Sequence, residues 1–204
     1  AVIFLVVVLI FPSSVLAESF VSIVNPVRGS EFWSEKDQQP NTVVNGQIGL
    51  LKKNNLTVTW LVRFDAFDDV SLINPIKNSG LPQEVGLLLE ITPKLTDQSQ
   101  VKYHQSASWH SAGSIFLSGY SPQDRKKLID KSFATFKTTF GFYPRSVGAW
   151  WIDAQSLEYM QRKYDITGAL IVADQYSTDN YQIWGQYWGM PYYPTKKNAK
   201  TREK

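Results

Sequence analysis

The sequence predicts an α/β fold, and within that class a distorted (β/α) barrel of parallel strands. Short apolar segments alternate with helical ones along most of the 204 residues. The apolar segments are nearly continuous, as in "LTVTWLVRF" and "EVGLLLEI", which is typical of parallel strands buried on both faces. The stretch "NPVRGSEF" after the first strand contains no glycine-rich phosphate loop. This absence favours a barrel over an open, doubly wound sheet.

The first half of the chain predicts three strands and two helices. The strands are indicated by runs of β-branched, aromatic and leucine side chains, and the helices by apolar residues at helical spacing. In order, the predicted elements are strand 20–24 ended by Asn25-Pro26, helix 41–54, strand 56–64, helix 68–80 and strand 84–91.

The second half predicts two further strand–helix alternations after an irregular stretch over about 93–120, which contains both histidines, His104 and His110. Its best helix has Ser121 as a cap, Pro122 in the first turn and Gly141 at its end. In order, the elements are helix 121–141, strand 146–152, helix 154–164, strand 168–173 and an aromatic, glycine-rich loop or irregular strand over 180–193.

Charge and cysteine content exclude several kinds of partner and site. The net charge is +3, but residues 196–204 contribute +4, so the rest of the chain is about −1 and offers no basic footprint for nucleic acid. We therefore expect 196–204 to be a solvated basic tail. The absence of cysteine excludes disulfides, thiolate metal ligands and a cysteine nucleophile.

The first residues predict a signal peptide over 1–17. Ten uninterrupted apolar residues, Ala1 to Ile10, are followed by a Pro-Ser-Ser break and by small residues suited to cleavage after Ala17. A buried N-terminal strand or an uncleaved anchor is the alternative. We expect a secreted or cell-envelope protein, periplasmic or extracellular, with one barrel domain over 18–195. No stable membrane insertion is expected once the signal is removed.

Acidic side chains follow four consecutive predicted strands, at the end where parallel α/β folds bind ligands. The first strand is expected to end at Asn25, with Arg28 just beyond it. Asp68, Asp69 and Asp153 are each either helix caps or site residues. Glu90 leads into Pro93 rather than into a helix, so it is either paired with a cation such as Arg63 or active. The acids that follow the second to fifth strands are Asp65, Glu90, Asp153 and Asp174.

Carboxylates on neighbouring strand ends can supply the acid and base, or the acid and nucleophile, of glycosyl transfer. Partial desolvation would raise a carboxyl pKa, which suits a general acid. Glu90 and Asp153 are the leading catalytic pair, with Asp65 and Asp174 in support.

Aromatic side chains suggest sugar stacking, because flat rings suit the apolar faces of pyranoses; the alternative is core packing. Of the pair Trp150 and Trp151, one is expected to point inward. The predicted substrate-binding residues are Arg63, His110, Trp151, Trp184 and Trp188. No cofactor is predicted, and two histidines without a His-x-x-x-His spacing indicate no metal motif. A metal site built from Asp65, Glu90, Asp153 and His110 is a further alternative.

The order of elements from Phe20 to Asp174 resembles that of the NodB-type polysaccharide deacetylases and the wider glycoside hydrolase/deacetylase superfamily. The strongest likeness is "SPQDRKKLIDKSFATFKTTFGFYPRSVGAWWIDAQSLEYMQRKYDI", with its Ser-capped helix, G-x-x-P-R turn, strand and following helix. "LLKKNNLTVTWLV" and "LPQEVGL" resemble the segments around the family's second and third strands. The resemblance implies a (β/α) barrel with a glycan groove at its strand ends.

The catalytic motifs of that family are not carried over. Asn25-Pro26 stands where the family has an Asp-Asp motif, and Leu88 and Thr92 stand where it has its metal-binding histidines. The late Leu-x-His motif is not visible, and with six strands at most the barrel can be incomplete at its C-terminus. We therefore expect an exported, carbohydrate-active hydrolase that works through carboxylates. The alternative is a non-catalytic glycan-binding or envelope protein on the same fold.

Overall fold

The computed structural model describes residues 22–32, 39–106, 111–171 and 191–203. Within these ranges the chain alternates strands and helices, as the sequence predicts. In order, the elements are β1 (Val24–Val27), α1 (Pro40–Lys53), β2 (Val58–Arg63), a 3-10 turn (Phe64–Ala66), α2 (Val70–Lys77), β3 (Gln83–Leu88), α3 (Pro93–Gln98), α4 (Ala112–Ile115), a second 3-10 turn (Leu117–Gly119), α5 (Pro122–Phe140), β4 (Ser146–Gly148), α6 (Ala154–Tyr164) and β5 (Gly168–Leu170).

The five strands of the described ranges form one sheet in the order β1-β2-β3-β4-β5, and every neighbouring pair is parallel. A doubly wound sheet reverses its strand order at a switch point, whereas the wall of a barrel advances in one direction. The order found here is the order of a barrel wall. The predicted α/β class and parallel sheet are confirmed, and the described strands make up an arc of five.

The first strand is displaced from its predicted position. Asn25-Pro26 was expected to end a strand over 20–24, but both residues lie inside β1, where Pro26 is in register with Leu61. Proline is tolerated because β1 is an edge strand in the described sheet. On its open side no described strand loses a hydrogen bond through the missing N–H. The carboxyl end of β1 is therefore Val27, and Arg28 follows it directly.

The other elements lie close to their predicted positions, with two systematic differences. The stretch 93–120, expected to be irregular, contains α3, α4 and the second 3-10 turn. The fourth and fifth strands are shorter than predicted, ending at Gly148 and Leu170. The apolar run continues past Gly148 to Ile152, and only Ala149 of that extension still donates its backbone N–H to a neighbouring strand, to Leu170 at 2.9 Å, so hydrophobicity alone places the end of the fourth strand too late.

Helix boundaries follow the capping residues. The Ser121 hydroxyl accepts the Asp124 N–H at 3.2 Å, and Gly141 ends α5 in the left-handed region at φ 87°. Asp153 caps α6 in the same way, since its carboxylate accepts the Ser156 N–H at 2.9 Å. These caps are why the sequence locates α5 and α6 to within one residue.

The two faces of the sheet pack differently. Trp60, Val62, Leu87 and Val147 belong to the large core cluster, which the helices complete with residues such as Leu72, Ile76, Phe133 and Phe136. On the other face, Leu61 fills the space beside two glycines: a Cβ on Gly148 would lie 2.2 Å from Leu61 Cδ1, and one on Gly86 would lie 2.9 Å from Leu61 Cδ2. A large side chain beside small neighbours suits the crowded interior face of a barrel.

Candidate functional site

Four consecutive strand ends bring their side chains together at one edge of the sheet, which we call the carboxyl edge. Arg28 follows β1, Arg63 is the last residue of β2, Glu90 lies two residues beyond β3, and Trp150 lies two residues beyond β4. Hydrogen bonds and ion pairs join Glu90 to the other three side chains. Side chains from four strand ends therefore meet at this edge, with Glu90 at their centre.

The Glu90 carboxylate is 2% exposed and accepts hydrogen bonds on both oxygens. Arg28 donates two hydrogen bonds to this carboxylate in a bidentate pair, with Nε 2.7 Å from Oε2 and Nη2 2.5 Å from Oε1. Arg63 Nη1 lies 3.3 Å from Oε2, and the Trp150 indole Nε1 donates to Oε1 at 2.7 Å. Of the two interpretations left open by the sequence, the structure supports the one in which Glu90 is paired with a cation such as Arg63.

The charge state of Glu90 follows from these partners. Burial by itself raises the pKa of the carboxyl, but the hydrogen bonds and charge of Arg28, the charge of Arg63 and the Trp150 N–H outweigh burial and lower the pKa. Glu90 is therefore a fixed anion at neutral pH. Desolvation acts on Glu90 in the expected direction, but the net pKa shift is downward because Arg28, Arg63 and Trp150 surround the carboxylate, and the sequence does not reveal these partners.

Arg63 also binds Asp65, so the two acids share one guanidinium. Arg63 Nε lies 2.7 Å from Asp65 Oδ1, and Nη2 lies 2.7 Å from Oδ2. Burial opposes the charge of Arg63, but Asp65 and Glu90 more than offset it and raise the arginine's pKa. Asp65 Oδ2 further accepts the Glu31 backbone N–H at 3.0 Å. Asp65 thus anchors the segment after β1 as well as the guanidinium.

The segment after β1 is packed tightly against this network. A Cβ on Gly29 would lie 2.5 Å from the backbone oxygen of Asp65, so a side chain there would displace backbone. The Phe32 ring lies 4.8 Å from the guanidinium carbon of Arg28 and 5.6 Å from that of Arg63. Both distances fall within the range of cation–π attraction. The ring therefore covers the two cations on the side of the β1 segment.

Tyr103, which was not among the predicted site residues, also interacts electrostatically with this network. The pKa of Tyr103 is raised by partial burial and by the negative charge of Glu31, while Arg63 acts in the opposite direction. Glu31 Oε1 in turn accepts the Lys94 N–H at 3.0 Å, at the start of α3. The start of α3 therefore lies at the carboxyl edge beside Glu31.

Asp153 has different partners. Its oxygens accept the Ser156 N–H at 2.9 Å and the Ser156 hydroxyl at 2.7 Å, and Arg125 Nη1 lies 3.2 Å from Oδ1. Asp153 is thus a helix cap, and Asp69 caps α2 equivalently by accepting the Ser71 N–H at 2.9 Å. Asp68 is not a cap and pairs with Lys94 Nζ at 2.5 Å. A ligand-facing role for Asp153 stays a prediction.

The remaining predicted site residues divide into two groups. Trp151 is partly buried against the core, and the Lys200 ammonium lies 5.0 Å from the centroid of its ring. Trp150 is also half-buried, so neither tryptophan of the pair points wholly inward. His104 is exposed, stacks on Tyr120 at 4.4 Å and donates from Nδ1 to the Gly113 carbonyl at 3.2 Å. Four predicted residues lie outside the described ranges: His110, Asp174, Trp184 and Trp188.

Metal-binding groups are scarce in the described ranges. No three histidine or acidic side chains there are close enough together to hold an ion. Asp65 and Glu90, two members of the alternative metal site, accept hydrogen bonds from arginines instead. Arg28 and Trp150 belong to the site although neither was predicted as a site residue. The sequence places Arg28 just beyond the first strand without giving it a role, and it leaves Trp150 as a sugar platform or a core residue.

Comparisons with known proteins extend the fold assignment. No family model matches the chain, and no curated protein matches it. A solved structure from Parabacteroides distasonis, described as a glycoside hydrolase/deacetylase, is similar over 89% of this chain and 40% of its own, with a TM-score of 0.50 and 14% identity. A structure of the peptidoglycan deacetylase PdaC from Bacillus subtilis is similar over 78% of this chain and 63% of its own, with a TM-score of 0.43 and 16% identity.

The chain thus spans less than two thirds of either solved structure. Identity this low makes the first likeness a statement about fold. That fold has parallel strands followed by helices, in agreement with the strand order found here. The chain therefore shares its fold with the matched part of the Parabacteroides distasonis structure, in agreement with the fold that the sequence resemblance implies.

Proposed function

We propose that this chain is an exported, carbohydrate-active hydrolase, of polysaccharide deacetylase-like or glycoside hydrolase type, that acts on a glycan at its carboxyl edge. The observation that carries the proposal is the convergence of Arg28, Arg63, Glu90 and Trp150 from four consecutive strand ends. Ligands of parallel α/β folds bind at this edge. The glycoside hydrolase/deacetylase description of a protein with the same fold supports a glycan as the ligand.

Within this proposal, Glu90 is a positioning residue. Its lowered pKa is unsuited to proton donation, but its two oxygens fix the Arg28 guanidinium and the Trp150 indole. A fixed guanidinium can donate hydrogen bonds to sugar hydroxyl or acyl oxygens, and a fixed indole can stack on a pyranose. The proton transfers of hydrolysis then fall to the other predicted carboxylates, Asp153 and Asp174.

A second candidate function is non-catalytic glycan binding. It is favoured by the arginine pairs, since Glu90 and Asp65 are both neutralised by guanidinium groups. Carboxylates held in this way stabilise a binding surface without offering a free acid or base. The two candidates share the glycan and the carboxyl edge, and they differ in whether the bound glycan is cleaved.

The test is a glycan array on the full chain, followed by assays for acetate and for new reducing ends with the glycan that binds best. Release of either product that is lost in Asp153→Asn or Asp174→Asn, but persists with EDTA, supports the carboxylate hydrolase. Asp69→Asn is the matched control, because Asp69 caps α2 as Asp153 caps α6.

Each other outcome selects a different conclusion. Acetate release abolished by EDTA would replace the carboxylate mechanism with metal-dependent deacetylation. Stable binding without product would establish the glycan-binding protein. If the folded chain binds no glycan on the array, and Trp150→Ala changes none of the array signals, the proposal is refuted.

A further inference from the structure

The opposite edge of the sheet is strongly basic. We call it the amino edge and define it as residues 50–57, 74–82, 137–145 and 161–167, the last turns of four helices and their connections to the next strands. It contains seven basic residues and one acid, Asp165, whereas the whole chain has 21 basic and 18 acidic residues. Three of the seven are ion-paired: Arg145 with Asp165, Arg162 with Glu158 and Lys163 with Asp130, so the excess positive charge lies on the other four, all of them lysines. Arg145 lies in a connection, and the last helical turns hold Lys52, Lys53, Lys77, Lys137, Arg162 and Lys163.

Charge alone does not identify a partner, because basic side chains in a last turn also offset the helix dipole. The second observation is that apolar side chains are exposed at the same edge. Leu50 is 62% exposed, Leu56 41%, Phe142 50% and Tyr143 40%. These are four of the eight large apolar residues that are exposed within the described ranges. The amino edge therefore combines apolar and cationic groups.

Ring contacts join the groups at the ends of α2, α5 and α6 into one surface. Lys77 Nζ, at the end of α2, lies 5.4 Å from the centroid of Phe140, whose ring is 6.2 Å from that of Phe142. Lys137 Nζ lies 4.6 Å from the centroid of Tyr143, which in turn contacts the ring of Tyr164 at 5.2 Å. The ends of α2, α5 and α6 are thus connected through the exposed Phe142-Tyr143 pair.

We propose that the amino edge docks on an anionic lipid surface, with Phe142 and Tyr143 in the headgroup region and the lysines beside the lipid phosphates. Amphipathic aromatic rings favour the membrane–water interface, and basic side chains are attracted to anionic leaflets. Nucleic acid or an anionic polysaccharide would use the charge but would leave the apolar residues in water. The exposed apolar residues therefore favour a lipid partner.

The direction of the chain agrees with this orientation. The described structure begins at Ser22, two residues before β1, and so at the amino edge. The segment that precedes Ser22 includes the ten apolar residues Ala1 to Ile10. Before the predicted signal peptide 1–17 is removed, this segment joins the fold on the side proposed to face lipid, and the carboxyl edge with its candidate glycan site faces away. Among the described residues no helix is long and apolar enough to cross a membrane. The proposed docking does not depend on the proposed function.

The absence of cysteine makes a direct test practical. Phe142→Cys in the full chain is labelled with an environment-sensitive NBD fluorophore, and Val70→Cys is the matched control. Val70 is 68% exposed and opens α2 at the carboxyl edge. With phosphatidylglycerol vesicles we expect a blue shift and a rise in intensity at position 142, a weaker response with phosphatidylcholine, and no response at position 70. Replacing Lys77 and Lys137 by glutamine should weaken the phosphatidylglycerol response roughly fivefold for each lysine.

Four results would overturn the proposal. The first is no fluorescence change at position 142, and the second is an equal change at positions 142 and 70. The third is a change at position 142 that is equal for the two lipids and is not altered by the lysine replacements. The fourth is a change at position 142 with heparin alone that equals the change with vesicles. The third would assign membrane contact to the N-terminal segment alone, and the fourth would make the partner a polyanion. A fifth result, a response that rises with protein concentration in the absence of vesicles, would also overturn the proposal and would make the amino edge a self-association surface.

Discussion

Replacing Glu90 by glutamine should destabilise the fold, because the change leaves two arginines without their shared anion. Arg28 and Arg63 both pair with the Glu90 carboxylate, and the side-chain exposures are 15% for Arg28 and 2% for Glu90. Removing one member of a buried ion pair costs about 3–5 kcal/mol. Arg28 keeps some contact with water, so we expect the lower end, about 3 kcal/mol. In a domain of this size that corresponds to a fall in Tm of about 6–12 °C.

The assay is urea unfolding followed by far-UV circular dichroism, repeated from pH 7 to pH 3. The folded-state pKa of Glu90 is lowered from 4.5, so its contribution to the free energy of unfolding is fully present above about pH 4.5. That contribution is lost as the pH falls through the folded-state pKa. The difference between the wild-type chain and Glu90→Gln should therefore shrink below about pH 4.5, because a glutamine does not titrate.

Glu158→Gln is the matched control for this measurement. Glu158 pairs with Arg162 at 2.6 Å on an exposed helix surface, with side-chain exposures of 34% and 70%. Such a pair is worth about 0.3–0.5 kcal/mol. If Glu90→Gln destabilises the chain no more than Glu158→Gln does, or if its deficit is the same at pH 7 and pH 3, the assignment of Glu90 as a fixed structural anion is wrong.

Three further predictions concern individual contacts. Asp153→Ala should lower the free energy of unfolding by about 1 kcal/mol through loss of the α6 cap, while Asp153→Asn should retain most of the cap; equal losses in thermal melts would contradict this. Gly29→Ala should lower the free energy of unfolding by about 1–3 kcal/mol and quench or shift the tryptophan fluorescence of the site, because the added Cβ would collide with the Asp65 backbone. Gly46→Ala is the matched control: its Cβ meets open space, so it should stabilise α1 by about 0.5–1 kcal/mol. Tyr164→Phe should cost about 1 kcal/mol in urea unfolding because its hydroxyl donates to Asp130 at 2.7 Å, and a loss below 0.3 kcal/mol would show that this bond between α5 and α6 is replaced by water without penalty.

Local signals explain why most of the fold could be predicted from the sequence. Ser121, Gly141 and Asp153 act within a few residues of themselves, and the structure places the ends of α5 and α6 where those residues indicate. The failure at β1 is also local in origin. Asn25-Pro26 indicates a strand end in most contexts, but at an edge strand the missing N–H has no partner to lose. Whether a strand is an edge is a property of the whole sheet.

The candidate site could be located from the sequence but its chemistry could not. The rule that parallel strands deliver side chains to one edge placed Arg63, Asp65 and Glu90 together correctly. The protonation of Glu90 depends on partners far along the chain: Arg28 is 62 residues away and Trp150 is 60. Neither distance is encoded in any local pattern. Because the end of β1 was misplaced by three residues, Arg28 was noted beyond the strand but was given no role at the site.

The same partners restrict what any hydrolysis at the carboxyl edge can use. Two-carboxylate mechanisms need one group that is protonated before the reaction, and burial beside few donors is what keeps a carboxyl protonated. Glu90 has the burial but also two guanidiniums and an indole N–H, so it is held as an anion. Asp65 is held by Arg63, and Asp153 lies against Arg125. Each of these three predicted catalytic acids thus has an arginine neighbour, which leaves Asp174 as the predicted carboxylate to test first as a proton donor. Loss of turnover in Asp174→Asn, with wild-type stability, would therefore separate a hydrolase from a glycan-binding protein more cleanly than any change at Glu90.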